Sequence, residues 1–213
     1  MKLTKTTALR LMALSGLLPL LYIISSITTQ GYPQVEPTFP QLIISGIIVL
    51  LTAAILICGV IGGIILSKET VSFAAIFFTI FSGIMVFFLL IYALIIFGTE
   101  NPLRVIFGMG DFAGFGFGLT AIFYAVCLFS HVKKDGRNIK TLSATYGVFG
   151  ILGIMQYIMI MVLGNRTEGG NPNDPLFYSL FTMDALTVTC IIPAILGVIL
   201  LILLWRSDLP IAE

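Results

Sequence analysis

The chain reads as an all-α polytopic membrane protein: a six-transmembrane-helix bundle forming a single integral membrane domain over 1–213, with both termini cytoplasmic. Three observations predict it. Of the 213 residues, 58% are hydrophobic and 10% charged, and the mean hydropathy is +1.10, a composition outside the range of soluble globular domains. The apolar residues fall into six continuous runs, at about 7–28, 41–66, 71–98, 103–131, 141–164 and 176–205. Each can cross a hydrocarbon core ~30 Å thick, which takes about 20 apolar residues in a helix. The basic residues then fix an orientation. Lys2, Lys5, Arg10, Lys68, Lys133, Lys134, Arg137, Lys140 and Arg206 fall at one set of span ends, and of the 11 Lys and Arg only Arg104 and Arg166 fall at the other. Basic residues gather in cytoplasmic loops, so the termini and the loops near 68 and 131–140 are assigned to that side. Continuous runs without apolar/polar alternation favour helices over a β-barrel.

The first run follows Lys2, Lys5 and Arg10 as a signal peptide would, but it continues to Thr28 without a small-x-small cleavage site, so it is expected to stay as the first span. The connection that follows carries Pro33, Pro37 and Pro40, which forbid a regular helix and predict an extended segment. The second span holds Gly59, Gly62 and Gly63, and Ser67-Lys68-Glu69-Thr70 leaves room only for a helical hairpin into the third. Gly98-Thr99-Glu100-Asn101-Pro102 is a tight turn into the fourth span, where Gly110, Gly114 and Gly118 repeat every four residues. Such small-residue stripes let backbones approach, so Gly59, Gly63, Gly110, Gly114 and Gly118 are assigned to helix packing, within the chain or at a homo-oligomer interface. Lys133 to Asn138 form a solvated turn. The fifth span has Gly147, Gly150 and Gly153, and the Gly/Asn/Pro-rich stretch Gly164–Pro175 connects it to the sixth. A 3+3 repeat of spans would suit a small transporter or channel component, though the halves share no matching motif.

Chemistry-bearing residues are few. Asp111 and Asp184 are the carboxylates inside the apolar runs, where a charge costs roughly 2.5 kcal/mol or more at a helix centre. Counted from the outer span ends, both lie at a depth of ~12 Å, near that of Gln156. The three predict an outer-leaflet polar pocket that binds a lipid or small solute. The alternative makes each aspartate an N-cap, with helices starting at 111 and 184. His131 is the lone histidine, which excludes a bis-His haem and most multi-imidazole metal sites. Cys58, Cys127 and Cys190 lie within spans and read as packing residues. Asn165-Arg166-Thr167 is a glycosylation sequon on the outer side. No catalytic residue, metal site or cofactor is assigned. The expected partners are membrane lipids, a second copy or other membrane subunits, with no nucleic acid.

Two resemblances add to this reading. Gly31-Tyr32-Pro33 after the first span, Thr99-Glu100-Asn101-Pro102 after the third, and a Gly/Phe-rich fourth span ending in Lys133-Lys134-Asp135-Gly136-Arg137 resemble the archaeal six-helix membrane family termed domain of unknown function 998. That resemblance implies the fold and carries no established chemistry; Asp111 and glycines stand where members often carry a histidine. Gly108-Met109-Gly110-Asp111 is similar to the Gly-x-Gly-Asp tetrapeptide of intramembrane aspartyl proteases, and Pro193-Ala194-Ile195 to their Pro-Ala-Leu motif. Those enzymes use two aspartates to activate water. Their partner aspartate precedes the tetrapeptide, whereas no span carboxylate precedes Asp111 here. The sequence thus predicts a non-enzymatic subunit or stabiliser of a membrane assembly, or a binder in the outer-leaflet pocket, with an aspartyl protease as the enzymatic alternative.

Overall fold

A computed structural model describes residues 4–28, 38–70, 72–98, 102–133, 136–166 and 191–206. Among them every regular element is helical, with no strand. The first helical rod begins as α1, Lys5–Ala13, where the Thr7 N–H donates to the Thr4 hydroxyl at 3.4 Å and caps the first turn. The sequence predicted one unbroken helix here, and the structure corrects that. A 3-10 segment, Leu14–Leu17, separates α1 from α2, Leu18–Thr28. Pro19 is the cause. It has no N–H to give the Ser15 carbonyl, which instead takes the Leu18 N–H three residues on.

Helix α3, Phe39–Glu69, opens on Thr38, whose N–H donates to the Gln41 Oε1 at 2.8 Å, with Pro40 in the first turn where its missing N–H costs nothing. It closes on Thr70, in extended backbone, whose N–H donates to the Leu66 carbonyl at 2.9 Å. Helix α4, Phe73–Gly98, follows at once, and its first turn is anchored by the Ile76 N–H on the Ser72 carbonyl. Helices α5, Pro102–His131, and α6, Arg137–Arg166, form an antiparallel hairpin; the Gly136 N–H closes the turn on the Lys133 carbonyl at 3.0 Å. Helix α7, Ile192–Arg206, is the last described helix. The rod Lys5–Ile24, α3 and the Phe73–Ile91 part of α4 are long and apolar enough to cross a membrane; Gly116–His131 and Ile192–Arg206 are shorter apolar stretches.

The most extensive packing joins α5 to α6, α3 to α4, α4 to α5 and α1 to α3. A continuous apolar core unites Leu9 and Met12 of α1, Leu66 of α3, Phe78 of α4, Tyr124 and Leu128 of α5, Tyr146 of α6, and Leu200 and Leu204 of α7. A second cluster holds Leu18, Ile55, Leu56 and Met85. Two aromatic sets bind the centre. The Phe77 and Phe81 rings stack on Phe123 at 5.3 and 5.4 Å, while Tyr124 sits between Phe78 and Tyr146, edge-on to the latter at 6.3 Å. Outer faces are the reverse of a soluble protein's, with Leu50 71% exposed, Phe73 74% and Leu94 74%.

The first and last described helices run antiparallel and meet at glycine. A Cβ on Gly16 would stand 2.9 Å from the Gly197 Cα, closer than real contacts allow. Nearer the chain start, the Arg10 Nε donates to the Leu204 carbonyl at 2.9 Å, capping the last turn of α7 with a cation. Gly197→Val should therefore lower the thermal midpoint of the protein in detergent, at an overpacking cost of about 1–3 kcal/mol. Gly46→Ala is the control: nothing lies within 4 Å of its added carbon among the described residues, and the midpoint should hold or rise slightly, since alanine favours the helix.

Candidate functional site

The proposed polar pocket is only partly within view. Asp184 lies outside the described residues, and so does the side chain of Asp111. The backbone at 111 is informative on one point. Helix α5 starts at Pro102, so Asp111 stands inside a continuous helix and is not its N-cap. Position 111 precedes Gly118 by seven residues, two helical turns, and so shares its side of α5. That is the side that meets α6: a Cβ on Gly118 would lie 2.8 Å from the Gly150 carbonyl and would also strike Ile154. Gln156, half-buried and two residues on from Ile154, lies about 200° from it around α6, so positions 111 and 156 are not brought to one seam by this packing. Asn165 is in the last turn of α6 with its side chain outside the described set, as is Thr167 of the sequon.

The packing glycines divide by partner. In α3, a Cβ added to Gly59 would lie 3.3 Å from the Phe78 ring, and one added to Gly63 would strike Thr79 and Ala75, both of α4. Between them Gly62 faces α1, where an added carbon would be 2.6 Å from the Ala8 carbonyl. Gly118 and Gly150 face each other, each blocked by the other's carbonyl, so the Gly118 end of the stripe is filled within the chain. The surroundings of Gly110 and Gly114 lie outside the described residues.

A polar face not singled out from the sequence occupies the interior. Thr120, Tyr124, Cys127 and His131 recur at steps of four, three and four along α5, and all are buried. The spacing was readable in the sequence; which side of the helix it would face was not. Thr120 donates to the Phe117 carbonyl at 3.0 Å, and from α6 the buried Ser143 donates to the Lys140 carbonyl at 2.9 Å. Two hydroxyls, Ser82 Oγ and Tyr124 Oη, are buried without a hydrogen-bond partner among the described residues. An unpaired buried hydroxyl costs about 1–3 kcal/mol, so these atoms are suited to hold a water or a small polar solute.

His131 ends this face and ties two turns together. Its Nδ1 is 2.8 Å from the Cys127 carbonyl, which can only accept, so Nδ1 carries a proton. Its Nε2 is 3.0 Å from the Thr70 hydroxyl, which is also 2.9 Å from the Leu66 carbonyl. With a neutral ring, Thr70 donates to Nε2. With an imidazolium, Nε2–H donates to Thr70 and the hydroxyl turns to Leu66. Either protonation state fastens the α3–α4 turn to the end of α5. Because Nδ1 is taken by the main chain, His131 and Cys127 do not form a nucleophile–base pair. Among the described residues no three His, Cys, Asp or Glu gather as metal ligands.

No family model, curated protein or solved structure matches this chain. The assignment of function therefore rests on the geometry. Thr70→Val, close in shape but without the hydroxyl, should destabilise the protein by about 1–3 kcal/mol in thermal or denaturant unfolding, since it strands the buried Nε2. Thr141→Val, which removes an exposed hydroxyl bonded within its own helix, should shift the transition far less.

Proposed function

We propose that the chain is a six-span integral membrane protein, with both termini and the loops near 68 and 131–140 in the cytoplasm, acting as a non-catalytic subunit or stabiliser of a membrane assembly. The observation that carries the membrane part is the outer surface. Large aliphatic and aromatic residues such as Ile47, Leu50, Phe73, Phe87, Leu94, Ile158 and Ile195 lie exposed on α3, α4, α6 and α7. Water would penalise this surface and hydrocarbon would not. The same reading explains why the side chains turned inward include Ser82, Thr120, Ser143 and His131, all buried.

The subunit part is supported by glycines that the fold leaves open. Gly46 on α3, Gly83 on α4 and Gly153 on α6 have nothing within 4 Å among the described residues, although Gly59, Gly62, Gly63, Gly118 and Gly150 are filled by neighbours. Lipid gains little from a glycine notch, whereas another helix gains close van der Waals contact.

Topology and assembly have separate tests. Single cysteines at positions 34 and 169, in a background lacking the native three, should react with an impermeant thiol reagent in intact cells, and one at 136 only after permeabilisation. Labelling of 136 from outside would reverse the orientation. For assembly, Gly83→Leu should leave folding and membrane insertion intact while shifting the protein in native gels or in-membrane crosslinking toward the lone chain. An unchanged pattern for Gly83→Leu and Gly153→Leu alike would remove the subunit reading.

A further inference from the structure

The α5–α6 hairpin presents its cations on the outer surface, beside an apolar bed. The Lys140 Nζ sits 5.1 Å from the centroid of the Phe129 ring. Phe129 is 54% exposed, so the ammonium over its face is at the periphery of the bundle and not in the helix seam. Lys133 and Arg137, at either end of the turn, are exposed as well. One turn back from Phe129, Val126 is exposed on α5; across from it on α6, Ala144 and Val148 follow Lys140 at four-residue steps and are exposed too. Cations at the hairpin tip thus continue directly into an apolar strip running down both helices. The acidic residues nearest in sequence, Glu69 and Asp135, are outnumbered by Lys68, Lys133, Lys134, Arg137 and Lys140.

We infer that this hairpin binds an anionic phospholipid, with its phosphate between Arg137 and Lys140 and an acyl chain along Phe129, Val126 and Val148. The inference rests on the membrane reading above. A soluble anion would use the cations and leave the strip bare. A zwitterionic lipid would use the strip, but its own ammonium would meet Lys133, Arg137 and Lys140. An anionic lipid satisfies both halves of the surface, and Lys140, held over Phe129, keeps its charge at head-group level while its stem packs on apolar surface.

Native mass spectrometry of the purified full chain, offered phosphatidylglycerol and phosphatidylcholine of matched acyl chains, tests this. The wild type should retain phosphatidylglycerol preferentially. Arg137→Gln and Lys140→Gln should each weaken that preference roughly fivefold, the effect of one basic residue at an anionic membrane surface. Lys140→Arg should restore it, and Phe129→Ala should reduce retention of both lipids. Equal retention of the two lipids by the wild type, or an undiminished preference in R137Q/K140Q with unchanged circular dichroism, would overturn the proposal. Displacement of the lipid by low-millimolar inorganic phosphate would also overturn it, reassigning the cations to a free anion. Release of the protein from membranes by alkaline carbonate would instead defeat the membrane reading itself, a failure separate from loss of lipid preference.

Discussion

Close backbone approach at glycine is the contact on which the rest of this bundle depends. In hydrocarbon, burying a leucine between helices gains little over leaving it in lipid, so helices associate through dense van der Waals contact at short range. Three seams show the device: Gly118 with Gly150 between α5 and α6, Gly16 with Gly197 between the first rod and α7, and Gly62 against the Ala8 carbonyl. A single Cβ at any of them would come within 3 Å of a neighbouring backbone atom. The aromatic ladder Phe78–Tyr124–Tyr146 fills the space that these approaches define, and could not close if α5 and α6 stood further apart.

The kink in the first rod belongs to the same scheme. Pro19 forces a 3-10 turn at Leu14–Leu17, and Gly16, inside that turn, is the residue that meets Gly197. One local backbone constraint thereby brings the start of the chain against its last helix. The Arg10 bond to the Leu204 carbonyl then completes the junction, satisfying a helix-end acceptor that the helix itself leaves unpaired. Together with the His131–Thr70 tie, this pins the chain start, the α3–α4 turn and the end of α5 around one core.

The polar groups of the described interior are held mainly by their own helices. Among the described residues the buried polar groups are hydroxyls and one imidazole, most of them bonded to main-chain carbonyls one turn away, as at Ser15, Thr120 and Ser143. Such bonds satisfy polar atoms within the helix that carries them. In the proposed reading, open glycines on the outer surface admit a helix and the α5–α6 cations meet a lipid.

The sequence by itself determined the helical class, the bounds of α3, α4, α5 and α6 to within a few residues, and the uneven distribution of basic residues. Apolar run length and charge are local properties that a bilayer reads directly. It also pointed to Gly59, Gly63 and Gly118 as packing residues, since a glycine inside a helix needs a reason. It did not separate Gly118, which meets Gly150, from Gly83, which meets nothing described, because that depends on how each helix is rotated about its axis. Nor did it reveal the break at Leu14–Leu17, where a lone proline in an apolar run competes with helix continuity. For Asp111 the sequence leaned toward a cap over a helix interior, and the continuous backbone from Pro102 places it in the interior. Only the tertiary structure decided which face of α5 turns inward, and so buried Thr120, Tyr124 and His131 together. The pairing of helices is set by contacts between residues far apart in the chain, which no local pattern encodes.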